Sequence, residues 1–187
     1  MSHRKLVGFT GGFNRPSRSR ALVEFVAELA SERYGIASKV YDIADLGPSF
    51  GVARSFADLD ETAKAILKDI TQADVLVVGT PTYKGSYTGL FKHAIDLLDP
   101  ADLLGTPVIL TATGGGDRHA LVVEHQLRPL FGFFQAHALP SAIYAVDRDF
   151  VDHRLTAEPI RRRVEQAVAE LAPFLPAAIP AERIAAE

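Results

Sequence analysis

Short apolar runs alternate along this chain with longer stretches in which apolar residues recur at helical spacing. Val75 to Val78 is the clearest run, unbroken and rich in β-branched residues, as a strand covered by helices on both faces requires. Lys5 to Thr10, Ser38 to Ile43, Pro107 to Ala112 and Ser141 to Ala145 read as further strands. The first helix carries Ala21, Leu22, Phe25, Val26 and Leu29 on one face, with Ser17 or Ser19 as its N-cap and Gly35 as its stop. Asp58 to Thr71 repeats the pattern through Ala63, Ile66, Leu67 and Ile70. Gly89 to Leu98 is apolar over more than one stripe, so part of its surface is expected to meet a partner subunit.

His119 to Ala136 predicts a long helix interrupted at Pro129, whose missing N–H leaves the His125 carbonyl without its usual donor. A kink or π-bulge near His125 follows. The apolar run Leu130 to Phe134 suits either subunit contact or a buried core helix. The last helix carries Ile160, Val164, Ala167, Val168 and Leu171, with Thr156 as its cap and Pro159 in its first turn. Leu46 to Arg54 reads as an irregular connection suited to cover a site, and Asp147 to Leu155 as a charged connection.

Strand and helix alternation of this kind predicts an α/β fold with a doubly wound, five-stranded parallel sheet and helices on both faces. The expected strand order is the flavodoxin-like 2-1-3-4-5, which places a ligand at the switch point between the first and third strands. Residues 1–176 are expected to form one domain and 177–187 a loose tail.

Three loops then share the carboxyl edge of the sheet. Gly11 to Ser19, directly ahead of a helix N-terminus, suits an anion: unpaired amides and the helix dipole favour it, and serine hydroxyls with Arg15 and Arg18 would strengthen it. A capped helix behind a solvated basic turn is the plainer alternative. Pro81 to Ser86 supplies aromatic, hydroxyl and amide groups for a planar ligand, with Tyr83 either a ring contact or an ordinary amphipathic aromatic at a loop edge. Thr113 to Gly116 allows close backbone approach to a ring edge or forms a flexible connection. Together they suggest FMN, with phosphate in the first loop and the isoalloxazine between the other two. The redox chemistry then belongs to the flavin, and no catalytic acid or base is required of the protein.

Composition narrows the classes. The chain has 187 residues, a formal net charge of -3 and no cysteine, so disulfides and thiolate chemistry are excluded and nucleic acid is a poor partner. The start of the sequence has no signal-like segment and no run approaches a membrane span, which points to a cytoplasmic protein. The first loop lacks the lysine and spacing of a Walker A loop, no G-x-G-x-x-G follows the first strand, and Ser86 is misplaced for a nucleophile elbow. None of the six histidines lies at H-x-x-x-H spacing, so no metal site is expected.

GTPTYKGSYTGLFKHAIDLL, GGFNRPSRS and ATGGGDRHALVVEHQLRP together resemble the NADPH-dependent FMN reductase family, from the first strand to about Ala145. Within it the resemblance runs to the reductase components of two-component alkanesulfonate and methanesulfonate monooxygenases. It implies reduction of FMN by NADPH or NADH, delivery of reduced FMN to a separate monooxygenase that desulfonates organosulfonates, and homodimers or homotetramers. It assigns phosphate contacts to Gly12, Asn14, Ser17, Arg18 and Ser19, and ring contacts to Pro81, Thr82, Tyr83 and Gly114, Gly115 and Gly116; Ser86 and Thr113 belong to the same loops. Many relatives have serine where Gly12 stands and asparagine where Lys84 stands, which implies one hydroxyl contact fewer to the phosphate and leaves Lys84 to a nicotinamide nucleotide phosphate, a flavin phosphate or solvent alone. His125 falls where an alkanesulfonate reductase has an inserted tyrosine with a π-helix at its tetramer interface, so an interface role is expected of it. Competing functions are an FMN-retaining quinone or azo reductase and a flavodoxin-like electron carrier.

Overall fold

The computed structural model describes residues 4–175; the tail expected over 177–187 lies outside them. Strands β1 (Lys5–Thr10), β2 (Ala37–Asp42), β3 (Val75–Pro81) and β4 (Pro107–Gly114) form the centre of a parallel sheet. The order is β2-β1-β3-β4, with β5 (His137–Ala138) and β6 (Ile143–Val146) both beside β4. Leu6 pairs with Val75 and Thr10 with Gly79, so β3 runs two residues past the end of β1 at the carboxyl edge. That fixes the switch point of the sheet.

The outer position differs from the single strand expected over Ser141 to Ala145. β5 pairs with Pro107 and Val108, β6 with Thr111 to Gly114, and Pro140 interrupts them. Proline brings no N–H to the ladder. The freed groups find side chains instead: Arg128 donates to the carbonyls of Ala138 and Leu139, and Glu170 accepts from the amide and hydroxyl of Ser141.

Helices cover both faces because strand side chains alternate. Val75 and Val77 face α1 (Arg18–Tyr34) and α6 (Glu158–Ala169), packing with Leu22, Val26, Val164 and Val168. Leu76 and Val78 face α3 (Glu61–Thr71), α4 (Gly89–Asp96) and α5 (Arg128–Phe133), packing with Leu67, Ile95 and Phe131. Most of the apolar surface of α4 is internal: Phe91 is fully buried, with ring centroids 5.8 Å from Phe9 and 6.5 Å from Phe131. Among its large apolar residues only Leu90, at 37% exposure, is open.

Local chemistry sets the helix ends. Ser17 accepts from the Arg20 amide and caps α1, while Gly35 ends it at φ 63°. Asp60 caps α3 through the Ala63 amide, two residues beyond the expected start at Asp58. α6 starts after Ala157 with Pro159 in its first turn; Thr156 turns its hydroxyl to the Asp149 carbonyl and does not cap. The segment after β2 is more ordered than expected: a 3-10 turn, Ile43–Leu46, leads into the short α2 (Gly47–Phe50). The helix expected from His119 starts later, after a separate 3-10 turn at Asp117–His119. A π-helical turn spans Val123–Leu127, and the Arg128 amide reaches back to the Val123 carbonyl. The missing donor of Pro129 falls next to that widened turn. A two-residue hairpin joins β7 (Phe150–Val151) to β8 (Arg154–Leu155), with Asp152 and His153 both at positive φ.

Gly79 is tightly enclosed: a Cβ there would lie 2.5 Å from Val23 Cγ2 and 2.8 Å from Thr111 Oγ1. Gly132 in α5 has open space around it. Urea denaturation should show Gly79→Ala destabilised by about 1–3 kcal/mol through overpacking. Gly132→Ala should be stabilised by roughly 0.5–1 kcal/mol, since alanine is the better helix former; equal effects at both positions would contradict this packing.

Candidate functional site

The ends of β1, β3 and β4 are tied together by hydrogen bonds. Thr88 Oγ1 donates to the Gly11 carbonyl at 2.8 Å and also caps α4 by accepting from the Phe91 amide. The Gly11 amide donates to the Gly79 carbonyl at 2.7 Å, and the Thr82 amide to the Thr113 carbonyl at 2.7 Å. Ser19 and Thr113 share a buried hydroxyl hydrogen bond of 2.6 Å between α1 and β4. Three loops distant in sequence are thereby held as one rim.

A cleft of about 230 Å³ opens in that rim. Of the residues proposed from sequence, Gly12, Asn14, Ser17, Arg18, Ser19, Pro81, Thr82, Tyr83, Thr113, Gly114 and Gly115 line it. An adjoining cleft of about 550 Å³ shares Thr82 and Gly115 and adds Gly116. Ser19 and Thr113 line the wall with their hydroxyls already engaged to each other. At the N-terminus of α1 the first-turn amides of Arg18 and Ser19 precede the reach of the helical ladder, which leaves them as donors toward an anion. Thr82 Oγ1 is buried without a hydrogen-bond partner among the described residues.

Lys84 and Ser86 do not line the cleft. They belong to a tight turn closed by the Tyr83 amide on the Ser86 carbonyl and the Ser86 amide on the Tyr83 carbonyl, with Lys84 at φ 53° and Gly85 at φ 83°. Positive φ at both central positions is the geometry that favours Asn-Gly, and Lys84 is exposed there. Ser86 gives its hydroxyl to Gln126 in the π-helical turn at 3.1 Å. His125 in the same turn is exposed.

Two further sequence readings change. Arg15 does not serve the cleft as a cation, because it is spent on a carboxylate pair: Nε donates to Asp42 at 2.9 Å and Nη2 to Asp45 at 2.7 Å. The glycines of the third loop are not equivalent. A Cβ at Gly114 would collide with the Tyr144 hydroxyl, which donates to the Gly116 carbonyl at 2.8 Å, whereas Gly115 and Gly116 face open space. Close approach at Gly114 thus serves Tyr144. The segment 46–54 contributes nothing to the lining; Phe50 packs on His93.

Asp147 and His153 line the cleft and were not singled out from sequence. Asp147 follows β6 at the same carboxyl edge as the other loops, and that position was the available signal. It pairs with Arg18 at 3.1 Å.

Residues 4–150 match the family model described as NADPH-dependent FMN reductase. The chain belongs to that family. It is accordingly an oxidoreductase working with FMN and NAD(P)H. It is 45% identical over 170 residues to an NADH-dependent FMN reductase, SfnF, of Pseudomonas fluorescens (strain Pf0-1), with 91% of each chain covered. It is 42% identical over 170 residues to an FMN reductase (NADPH) of Pseudomonas aeruginosa, again with 91% of each covered. The solved structure of an oxidoreductase from Corynebacterium diphtheriae is 32% identical with a TM-score of 0.80, covering 93% of this chain and 98% of that one.

In this reductase the first loop is anchored by Asp42, which is buried and bonded to both Arg15 and Arg20. Burial opposes its ionisation, but the hydrogen bonds and charges of the two guanidiniums outweigh that and hold its carboxyl below the usual range. A folded pKa below the unfolded value of about 3.9 contributes stability in full above that value, lost as pH falls through the folded pKa. Asp42→Asn should therefore cost about 1.5–3 kcal/mol at neutral pH and flatten the acid side of the stability profile, read by urea denaturation in steps below about pH 4. A variant as acid-sensitive as the parent would count against the network.

Proposed function

We propose that the chain reduces FMN with NADH or NADPH in this cleft, holds the flavin weakly, and passes reduced flavin to a separate monooxygenase that desulfonates organosulfonates. The observation that carries the reading is the convergence of three tied loops at the β1/β3 switch point, with the α1 N-terminus on one wall. The donor set suits FMN: first-turn amides and a hydroxyl-rich loop for a phosphate, and an unpartnered Thr82 hydroxyl with exposed glycine backbone for a planar, polar-edged ring.

Gly12, Asn14, Ser17, Arg18 and Ser19 would hold the phosphate. Pro81, Thr82, Tyr83 and Gly114 to Gly116 would border the ring, with Tyr83, 48% exposed, at its edge. Bound FMN supplies the redox chemistry by accepting hydride from the nicotinamide. The chain's part is to bind, to orient, and to leave one ring face open for the second nucleotide. Lys84 and Ser86 act indirectly in this reading, by shaping the turn that presents Tyr83.

The partner assignment rests on the likeness to sulfonate-system reductases, and the nicotinamide and flavin substrates support a cytoplasmic activity. No helix among the described residues is long and apolar enough to cross a membrane. Exposed Leu90, Leu121 and Phe133 are assigned to contact with further copies in a homodimer or homotetramer. His125, exposed in the π-helical turn near Leu121, is assigned to the same surface.

Flavin-stripped protein should oxidise NADH or NADPH only when FMN is added, with saturation in FMN and little flavin retained through gel filtration. Tight retention with quinone-dependent turnover would move the reading to a quinone reductase, and no oxidation at any flavin concentration would overturn it.

A further inference from the structure

The charge lining the proposed phosphate end is balanced before any ligand is considered. Among the described residues Arg18 is the one arginine or lysine on the wall of the cleft, since Arg15 is taken by Asp42 and Asp45. Its Nη1 lies 3.1 Å from Asp147 Oδ1, and Asp147 lines the same wall. His153 and Tyr83 are the other titratable side chains there.

Asp147 is held in place by its neighbours. It opens a 3-10 turn, Asp147–Asp149, in which the Asp149 carboxylate accepts from the Val146 amide at 2.7 Å. Arg148 is clamped by both oxygens of Asp117 at 2.8 and 2.9 Å, which fastens the turn to the third loop. The Asp149 carbonyl accepts from the amides of Thr156 and Ala157, which fastens it to the start of α6. Asp147 is thus set beside Arg18 by the turn's own bonds and does not depend on Arg18 to stay there.

The pair is half open to solvent, with side-chain exposures of 42% for Arg18 and 57% for Asp147. A solvent-exposed pair of this kind is weak, so a stronger anion can displace the carboxylate. A phosphate monoester carries close to two negative charges near neutral pH and three acceptor oxygens. It would recruit the Arg18 guanidinium against a fixed carboxylate already holding it, and would then sit near that unpaired carboxylate.

We propose that Asp147 competes with the flavin phosphate for Arg18 and so sets the weak retention of FMN. This rests on the reading of the cleft given above and adds to it a residue that weakens binding of the phosphorylated flavin specifically. For a reductase that must release its flavin to another enzyme, such an internal anion favours exchange without disturbing the ring site.

The test is flavin affinity, read by quenching of flavin fluorescence with wild-type protein, Asp147→Asn, Arg18→Gln and the double variant, each against FMN and riboflavin. Riboflavin has the ring and ribityl chain and lacks the phosphate. Asp147→Asn should tighten FMN about three- to tenfold while riboflavin changes less than twofold; Arg18→Gln should weaken FMN, and the asparagine gain should vanish in its background. Unchanged FMN affinity, equal tightening of both flavins, or a gain that survives Arg18→Gln would each overturn the proposal. If wild type binds neither flavin, the reading of the cleft fails instead, which separates the two.

Discussion

Hydrogen bonds between the three edge loops are the constraint on which the rest of the site depends. Thr88 on Gly11, Gly11 on Gly79, Thr82 on Thr113 and Ser19 with Thr113 join segments up to 94 residues apart. Loops are ordinarily the mobile part of an α/β domain. Here each carries a bond to another, so the cleft has a shape before a ligand arrives. Preorganisation of this kind lowers the ordering cost of binding and allows a weakly charged cleft to recognise a flavin mainly through backbone amides and hydroxyls.

The supporting layer works by close packing. Val23 sits against Gly8 and Gly79 so closely that either glycine gaining a side chain would displace it. That contact draws α1 down onto β1 and β3 and aims its N-terminus at the rim. Asp42 then fixes the loop ahead of the helix through Arg15 and Arg20. Arg18 is left beside the cleft because its neighbouring arginines are committed elsewhere.

Much of this was legible in the chain where the cause is local. The unbroken apolar run of Val75 to Val78 required a doubly covered strand, and Pro129 required a defect in the preceding helical turn. What was hidden depends on distant partners. Nothing near Arg15 indicates that Asp42, 27 residues away, claims it. The break at Pro140 is sealed by Arg128 and Glu170, neither of which marks the strand in sequence. Most of the apolar excess of α4 is taken up by the aromatic cluster of Phe9, Phe91 and Phe131, which forms only in three dimensions. Asp147 reads as one charge in a charged connection until the hairpin after β6 folds it against α1.

The most direct measurement is a crystal structure with FMN bound. The account predicts the phosphate within about 3 Å of the Arg18 and Ser19 amides, the ring between Thr82 and the backbone of Gly115 and Gly116, and rim backbone displaced by less than about 1 Å. Flavin seated elsewhere on the sheet, or a rim that separates its tied loops to admit the ring, would contradict it.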